Sequence, residues 1–68
     1  MQVLISKREN QILDLISKDY SDKDIAVELY ISHNTVKTHK RNLYSKFDVK
    51  RGAGLVRKAF EKGLLKFS

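Results

Sequence analysis

The chain has 68 residues, enough for one small domain over residues 1–68. It contains no cysteine, which excludes disulfides and thiolate metal sites, and its lack of proline and low glycine content favour helices. Residues 1–32 carry four basic and six acidic side chains, a net charge of −2, whereas residues 33–68 carry ten and two, a net charge of +8. This asymmetry indicates a polyanionic partner, nucleic acid before membrane.

The first two predicted helices each begin at a serine. Ser6 is followed three residues later by Glu9 in a capping box, and apolar side chains continue at helical spacing, so we predict a helix over about residues 7–18. Ser21 is a second candidate N-cap, and the acids after it suit the positive end of a helix dipole. It predicts a short helix over about residues 22–30.

The third and fourth predicted helices complete the domain. Ser32 is a further candidate N-cap and predicts a longer helix over about residues 33–47. A fourth helix is predicted over about residues 53–62, with Gly63 as its stop signal and the following leucines folded back onto the core. No segment has the period of a strand. The fold class is therefore all-α: a four-helix domain with a central helix-turn-helix.

The third helix has an apolar side and a polar side of one charge sign. At about 100° per residue, Val36, Leu43 and Phe47 share the side predicted to face the core. Residues 31–47 contain no acid, which distinguishes this helix from ordinary solvated faces that mix charge signs. The opposite side and its flanks carry Asn34, Lys37, Thr38, Arg41 and Ser45. Such side chains suit base edges and phosphates in a major groove.

Four segments, in order and at the right spacing, resemble the LuxR/FixJ-type DNA-binding domain of bacterial transcription regulators. The most specific is ISHNTVKTH at residues 31–39, which matches the family pattern I-S-x-x-T-V-K-x-H completely. The other segments are ISKRE, SDKDIAVEL and NLYSKFDV, with a closing Gly-Leu pair. The chain departs from the pattern where the family has glycine: Asp19-Tyr20 precedes the second helix, and Asp48 precedes Val49. Gly52 stands where the family usually has arginine.

The resemblance implies roles for individual residues. Lys37, Thr38 and Arg41 match positions that face base edges, and Lys23 and Thr35 match positions near phosphates. Asn34, at the start of the third helix, suits either role and is predicted as a base contact. Ser45 and Lys46 on the same helix are added to the predicted phosphate contacts. The fourth helix is the usual dimer contact in the family, which implies an interface at Leu55, Val56 and Ala59.

Several of these side chains have a structural alternative. Thr35 is equally suited to capping its own helix, and Val56 to lying in the core. Glu9 is expected to act as a cap or as an ion-pair partner of Lys46 or Arg51. Lys40 is expected to extend past the core with its charge in solvent.

The function expected from these features is sequence-specific binding of double-stranded DNA as the effector domain of a cytoplasmic bacterial regulator. We expect helix 33–47 in the major groove, a homodimer on inverted half-sites, and RNA polymerase as a further candidate partner. The alternatives are a helical protein-interaction module and a sigma-factor-like promoter reader. No catalytic residues, metal or cofactor are expected, because no nucleophile with its base is visible and the two histidines lack further ligands. No apolar run reaches the length of a membrane span, and the opening residues lack the basic region of a signal peptide.

Overall fold

A computed structural model describes residues 4–65, and its four helices confirm the all-α fold. The helices are α1 (Lys7–Ser17), α2 (Asp22–Leu29), α3 (His33–Phe47) and α4 (Gly52–Glu61). Helix α3 packs against each of the other three, and α1 also packs against α4. Helices α2 and α3 therefore form a helix-turn-helix supported by the other two.

Within the described residues, no helix is long and apolar enough to cross a membrane. The opening apolar run, on which the expectation about a signal peptide depends, begins in residues 1–3, which lie outside the described part of the chain.

Serine side chains begin the first three helices, as predicted. Ser6, Ser21 and Ser32 each accept a hydrogen bond from the backbone N–H three residues later, at 3.0–3.1 Å. In α1 and α2 the carboxylate of the third helical residue accepts a hydrogen bond from the backbone N–H of the serine, which completes a capping box. Helix α4 differs, because Arg51 stands at its N-cap and makes no side-chain cap hydrogen bond. It begins at Gly52 and ends at Glu61, each one residue earlier than predicted.

The connections that follow α1, α2 and α3 each contain a non-glycine residue in the left-handed conformation. The φ angles are 66° at Asp19, 57° at Tyr30 and 54° at Asp48. This conformation cannot continue a right-handed helix, so α1 and α2 each end one residue before the predicted boundary. Aspartate tolerates such a backbone because its short side chain can bond locally, which explains how Asp48 replaces the family glycine. Tyrosine has no comparable compensation.

The core lies on the predicted side of α3. Val36 and Leu43 have no exposed surface, and Phe47 is 2% exposed. Leu65 is buried after the chain turns at Gly63, whose φ is 75°, as expected for a glycine stop. The other buried apolar side chains are Ile12, Leu13, Leu15, Ile25, Leu55 and Ala59. This packing fixes which side of α3 is left to face outward.

The left-handed backbone at Tyr30 generates a stability prediction. The side chain of Tyr30 is 95% exposed, so its removal forfeits little packing. Tyr30→Gly should raise the free energy of unfolding by about 0.5–1 kcal/mol, because glycine adopts this conformation without the Cβ clash. Tyr30→Ala keeps the Cβ and should change stability by less than about 0.5 kcal/mol. Urea denaturation measures both, and an equal gain from alanine would contradict the assignment to backbone strain.

Candidate nucleic-acid interface

The outward side of α3 presents the polar side chains that the sequence assigned to base edges. Asn34, Lys37, Thr38 and Arg41 are all exposed, because Val36 and Leu43 direct the opposite side into the core. Neither Lys37 nor Arg41 has an ion-pair partner among residues 4–65. The face therefore holds two uncompensated positive charges beside an amide and a hydroxyl.

The other two cations of α3 are paired with acids from other helices. Lys40 Nζ lies 2.6 Å from Asp22 Oδ1 on α2, and Lys46 Nζ lies 2.7 Å from Glu9 Oε1 on α1. The Glu9–Lys46 pair was one of the two predicted alternatives, whereas Asp22–Lys40 was missed. Asp22 and Lys40 are 18 residues apart, and only the packing of α2 on α3 brings them together.

Glu9 connects the start of α1 to the end of α3. Its side chain is 6% exposed, and one carboxylate oxygen, Oε1, accepts from the Ser6 backbone N–H at 2.8 Å and from Lys46 Nζ at 2.7 Å. Burial acts to raise the pKa of Glu9. The hydrogen bond from Lys46, the positive charge of Lys46 and the hydrogen bonds from Ser6 outweigh burial, so the pKa is lowered. The Lys46 side chain remains 38% exposed, and an ammonium has three N–H donors, so the assignment of Lys46 to a phosphate contact stays a prediction.

The two threonines of α3 use their hydroxyls locally. Thr35 Oγ1 lies 2.7 Å from Ser32 Oγ, and the Thr35 N–H donates to that same oxygen, which places Thr35 in the cap of its own helix. Thr38 Oγ1 donates to the Asn34 carbonyl at 3.1 Å, so its hydrogen is engaged while the oxygen can still accept. Of the remaining candidate phosphate contacts, Lys23 and Ser45 are both exposed.

The predicted dimer residues of α4 separate into core and surface. Leu55 and Ala59 have no exposed surface, because α1 and α3 pack on the apolar side of α4. Their assignment to a dimer interface is therefore wrong: a partner cannot contact side chains that the domain itself covers. Val56 is partly buried against the core and keeps some surface. Lys58 Nζ donates to the Phe47 carbonyl at 2.9 Å, a link from α4 to the end of α3 that the sequence did not indicate.

No group of three or more metal-ligating side chains occurs within the part of the chain that the structure describes. A short helix, a tight turn and a longer helix with an exposed cationic side define instead a helix-turn-helix DNA-binding domain. The family model for "Bacterial regulatory proteins, luxR family" matches residues 3–59. The chain therefore belongs to the luxR family of bacterial regulatory proteins.

Relatives with known names or structures agree in sequence and fold. The oxygen regulatory protein NreC of Staphylococcus haemolyticus is 47% identical over 64 residues, which cover 94% of this chain and 30% of NreC. The transcription factor GerE has 33% sequence identity to this chain, and its structure superposes with a TM-score of 0.86 over 97% of each chain. The Vibrio cholerae VqmA dimer, a LuxR-type receptor, is 27% identical with a TM-score of 0.88, over 93% of this chain and 28% of that one. The chain thus spans about 30% of the length of the curated relatives it matches.

The Glu9–Lys46 contact generates a pH prediction. A carboxyl whose pKa is lowered on folding adds stability above its unfolded pKa, and this contribution is lost as the pH falls through the folded pKa. Glu9→Gln should therefore lower the free energy of unfolding at pH 7 by about 1–2 kcal/mol, and by progressively less below about pH 4.5. Urea titrations from pH 7 to pH 3 measure the difference, with Glu28→Gln on the exposed side of α2 as control. A constant difference between wild type and Glu9→Gln would contradict the ionic role.

Proposed function

We propose that this domain binds specific sequences of double-stranded DNA as the effector domain of a bacterial transcription regulator, with α3 in the major groove. The observation that carries the proposal is the outward side of α3, where Lys37 and Arg41 are exposed and form no ion pair with any residue in the described range 4–65. Acids are absent from all of α3, so no side chain of that helix repels phosphates.

Each exposed side chain of this face has a matching nucleic-acid group. The Arg41 guanidinium can donate two hydrogen bonds to guanine, and the Asn34 amide can pair with adenine. Lys37 and Thr38 stand between them on the same side of α3 and complete the proposed set of base contacts. Four side chains are proposed as phosphate contacts, which position the helix without reading sequence: Lys23, Thr35, Ser45 and Lys46.

Two other functions remain as candidates with less support. A protein-interaction module would need an exposed apolar stripe on α3, but the exposed positions carry Asn34, Thr38 and Arg41 instead. A sigma-factor-like promoter reader uses the same motif, but the family match favours a regulator. The names of NreC, an oxygen regulatory protein, and GerE, a transcription factor, support a regulator of transcription. We propose that it acts in the cytoplasm, with RNA polymerase as a candidate partner.

Selection from random duplexes should recover an enriched motif, and two substitutions should then behave differently. Arg41→Ala should weaken binding to the selected site by about 1–3 kcal/mol and relax one base position. Lys23→Ala should weaken binding to all DNA sequences alike and reduce the slope of log affinity against log salt concentration by about one unit. Fluorescence anisotropy over a range of salt concentrations measures both. Failure to enrich any motif would leave only charge-driven binding, and identical behaviour of the variants would contradict the division into base and phosphate contacts.

We further propose that two copies assemble on inverted half-sites about one helical turn apart, through the surface of α4 beside Val56. The VqmA dimer supports the pairing of two copies of a LuxR-type protein. Arg57 on the same helix pairs with Glu61 at 3.3 Å, but Lys58 and Lys62 leave this end of the chain positively charged, so like charges oppose pairing in the absence of DNA. Phosphates nearby would screen that repulsion, which is why we expect a monomer in solution and a dimer on DNA.

Val56→Glu should abolish cooperative binding to a duplex with two half-sites while binding to a single half-site is retained, because it places a carboxylate in the proposed interface. Gln11→Glu, which adds the same charge at an exposed position of α1, should leave cooperativity intact. Electrophoretic mobility shifts report cooperativity, and circular dichroism checks that Val56→Glu remains folded, since Val56 also packs on the core. Unchanged cooperativity in a folded variant would place the dimer contact elsewhere.

A further inference from the structure

We propose that Asp22 is a positioning residue that keeps the Lys40 ammonium off the DNA and so limits the number of phosphates this domain neutralises. The inference rests on the proposed DNA binding and concerns how its strength is set. Lys40 belongs to the recognition helix by sequence, yet the fold pairs its charge with an acid of the neighbouring helix.

The contact between Asp22 and Lys40 is short and partly shielded. Nζ of Lys40 lies 2.6 Å from Oδ1 of Asp22, and both side chains are 24% exposed. The other carboxylate oxygen of Asp22 lies 3.8 Å from His33 Nε2. His33 and Lys40 are seven residues apart, two turns of helix, so Asp22 contacts one flank of α3 at two levels.

The same flank borders the proposed DNA-binding face. Asp22 and Lys40 line an open cleft of about 270 Å³ between α2 and α3, and the remaining lining residues are Lys37, Arg41 and Tyr44. Lys40 thus shares a surface cleft with both unpaired cations of α3. Its flexible four-carbon side chain could deliver the charge to a phosphate beside that cleft, and the bond to Asp22 is the contact that prevents it.

Lys40 retains its charge in this position. Burial acts to lower the pKa of Lys40, but the hydrogen bond to Asp22, with contributions from Tyr44, raises that pKa above its ordinary value. The Lys40 ammonium also lies 5.9 Å from the centre of the Tyr44 ring. A partly buried pair of this kind is less weakened by solvent than an exposed pair, so it can compete with a DNA phosphate.

The consequence is measurable as salt dependence. Each phosphate neutralised on duplex DNA adds about 0.9 to the slope of log affinity against log salt concentration. Asp22→Asn removes the charge that holds Lys40 and preserves the size of the side chain. On a random-sequence duplex it should steepen the slope by about 0.9, so that affinity falls about 3.5-fold more than wild type between 50 and 200 mM salt.

Two further variants separate release of Lys40 from a general change in charge. Asp24→Asn removes an acid two residues away on the same helix, one that pairs with no cation within residues 4–65, and should leave the slope unchanged. Lys40→Met keeps the apolar stem and should also leave the wild-type slope unchanged. Added to Asp22→Asn, it should cancel the increase, because the released ammonium is then absent.

Three results would overturn the inference while the proposed function stands. The first is an unchanged slope for Asp22→Asn in a domain that binds DNA and, by circular dichroism, remains folded. The second is an increase that survives Lys40→Met, which would mean that Asp22 itself repels phosphate. The third is a salt slope that becomes shallower by about one unit in Lys40→Met alone, because Lys40 would then already neutralise a phosphate in the wild-type domain. This result does not depend on the folding of an Asp22 variant. Absence of DNA binding by the unaltered domain would overturn the proposed function, and this inference with it.

Discussion

One buried carboxylate connects the start of α1 to the end of α3, the helix that carries the candidate DNA-binding face. Oε1 of Glu9 accepts from the Ser6 backbone and from Lys46, so it closes the capping box of α1 and ties that helix to the last turn of α3. Because Glu9 is almost fully buried, an unpaired charge there would be costly, and the two donors are needed together. The cap of α1 and the contact between α1 and the end of α3 thus share one acceptor atom.

Helix α3 must satisfy two demands with one sequence, since it contacts every other helix and also presents the candidate DNA-binding face. The apolar side meets the first demand through Val36, Leu43 and Phe47. The four cations of α3 serve both demands. Lys40 and Lys46 form ion pairs with acids of α2 and α1, whereas Lys37 and Arg41 pair with no acid among residues 4–65. Two of the four charges therefore act inside the domain, and a count of basic residues overstates what is available to a polyanion.

Local features of the fold were predictable from the sequence, and features created by packing were not. The serine caps and the apolar side of α3 follow from spacing within a few residues, and the family motif identified the DNA-binding class. The left-handed backbone at Tyr30 was not predicted, because nothing local distinguishes a tyrosine there from a helix-forming residue, whereas Asp19 lies where the family has glycine. Burial of Leu55 and Ala59, and the Asp22–Lys40 pair, depend on how helices distant in sequence meet. The exposed side of α3 was therefore predicted, and so was Glu9–Lys46 as one of two alternatives, but the pairing of Lys40 with Asp22 was not.

The bond from Lys58 to the Phe47 carbonyl has a consequence for where the domain can be divided. It satisfies a carbonyl at the C-terminal end of α3, where no further helical N–H is available, and the donor belongs to α4. Leu55 and Leu65 close the core from the same end of the chain. A fragment that stops at the last residue of the helix-turn-helix would retain the motif but lose the donor and the apolar cover. Retention of the Lys58 donor and of the cover from Leu55 and Leu65 therefore requires α4 and the turn after it, both of which lie beyond the helix-turn-helix.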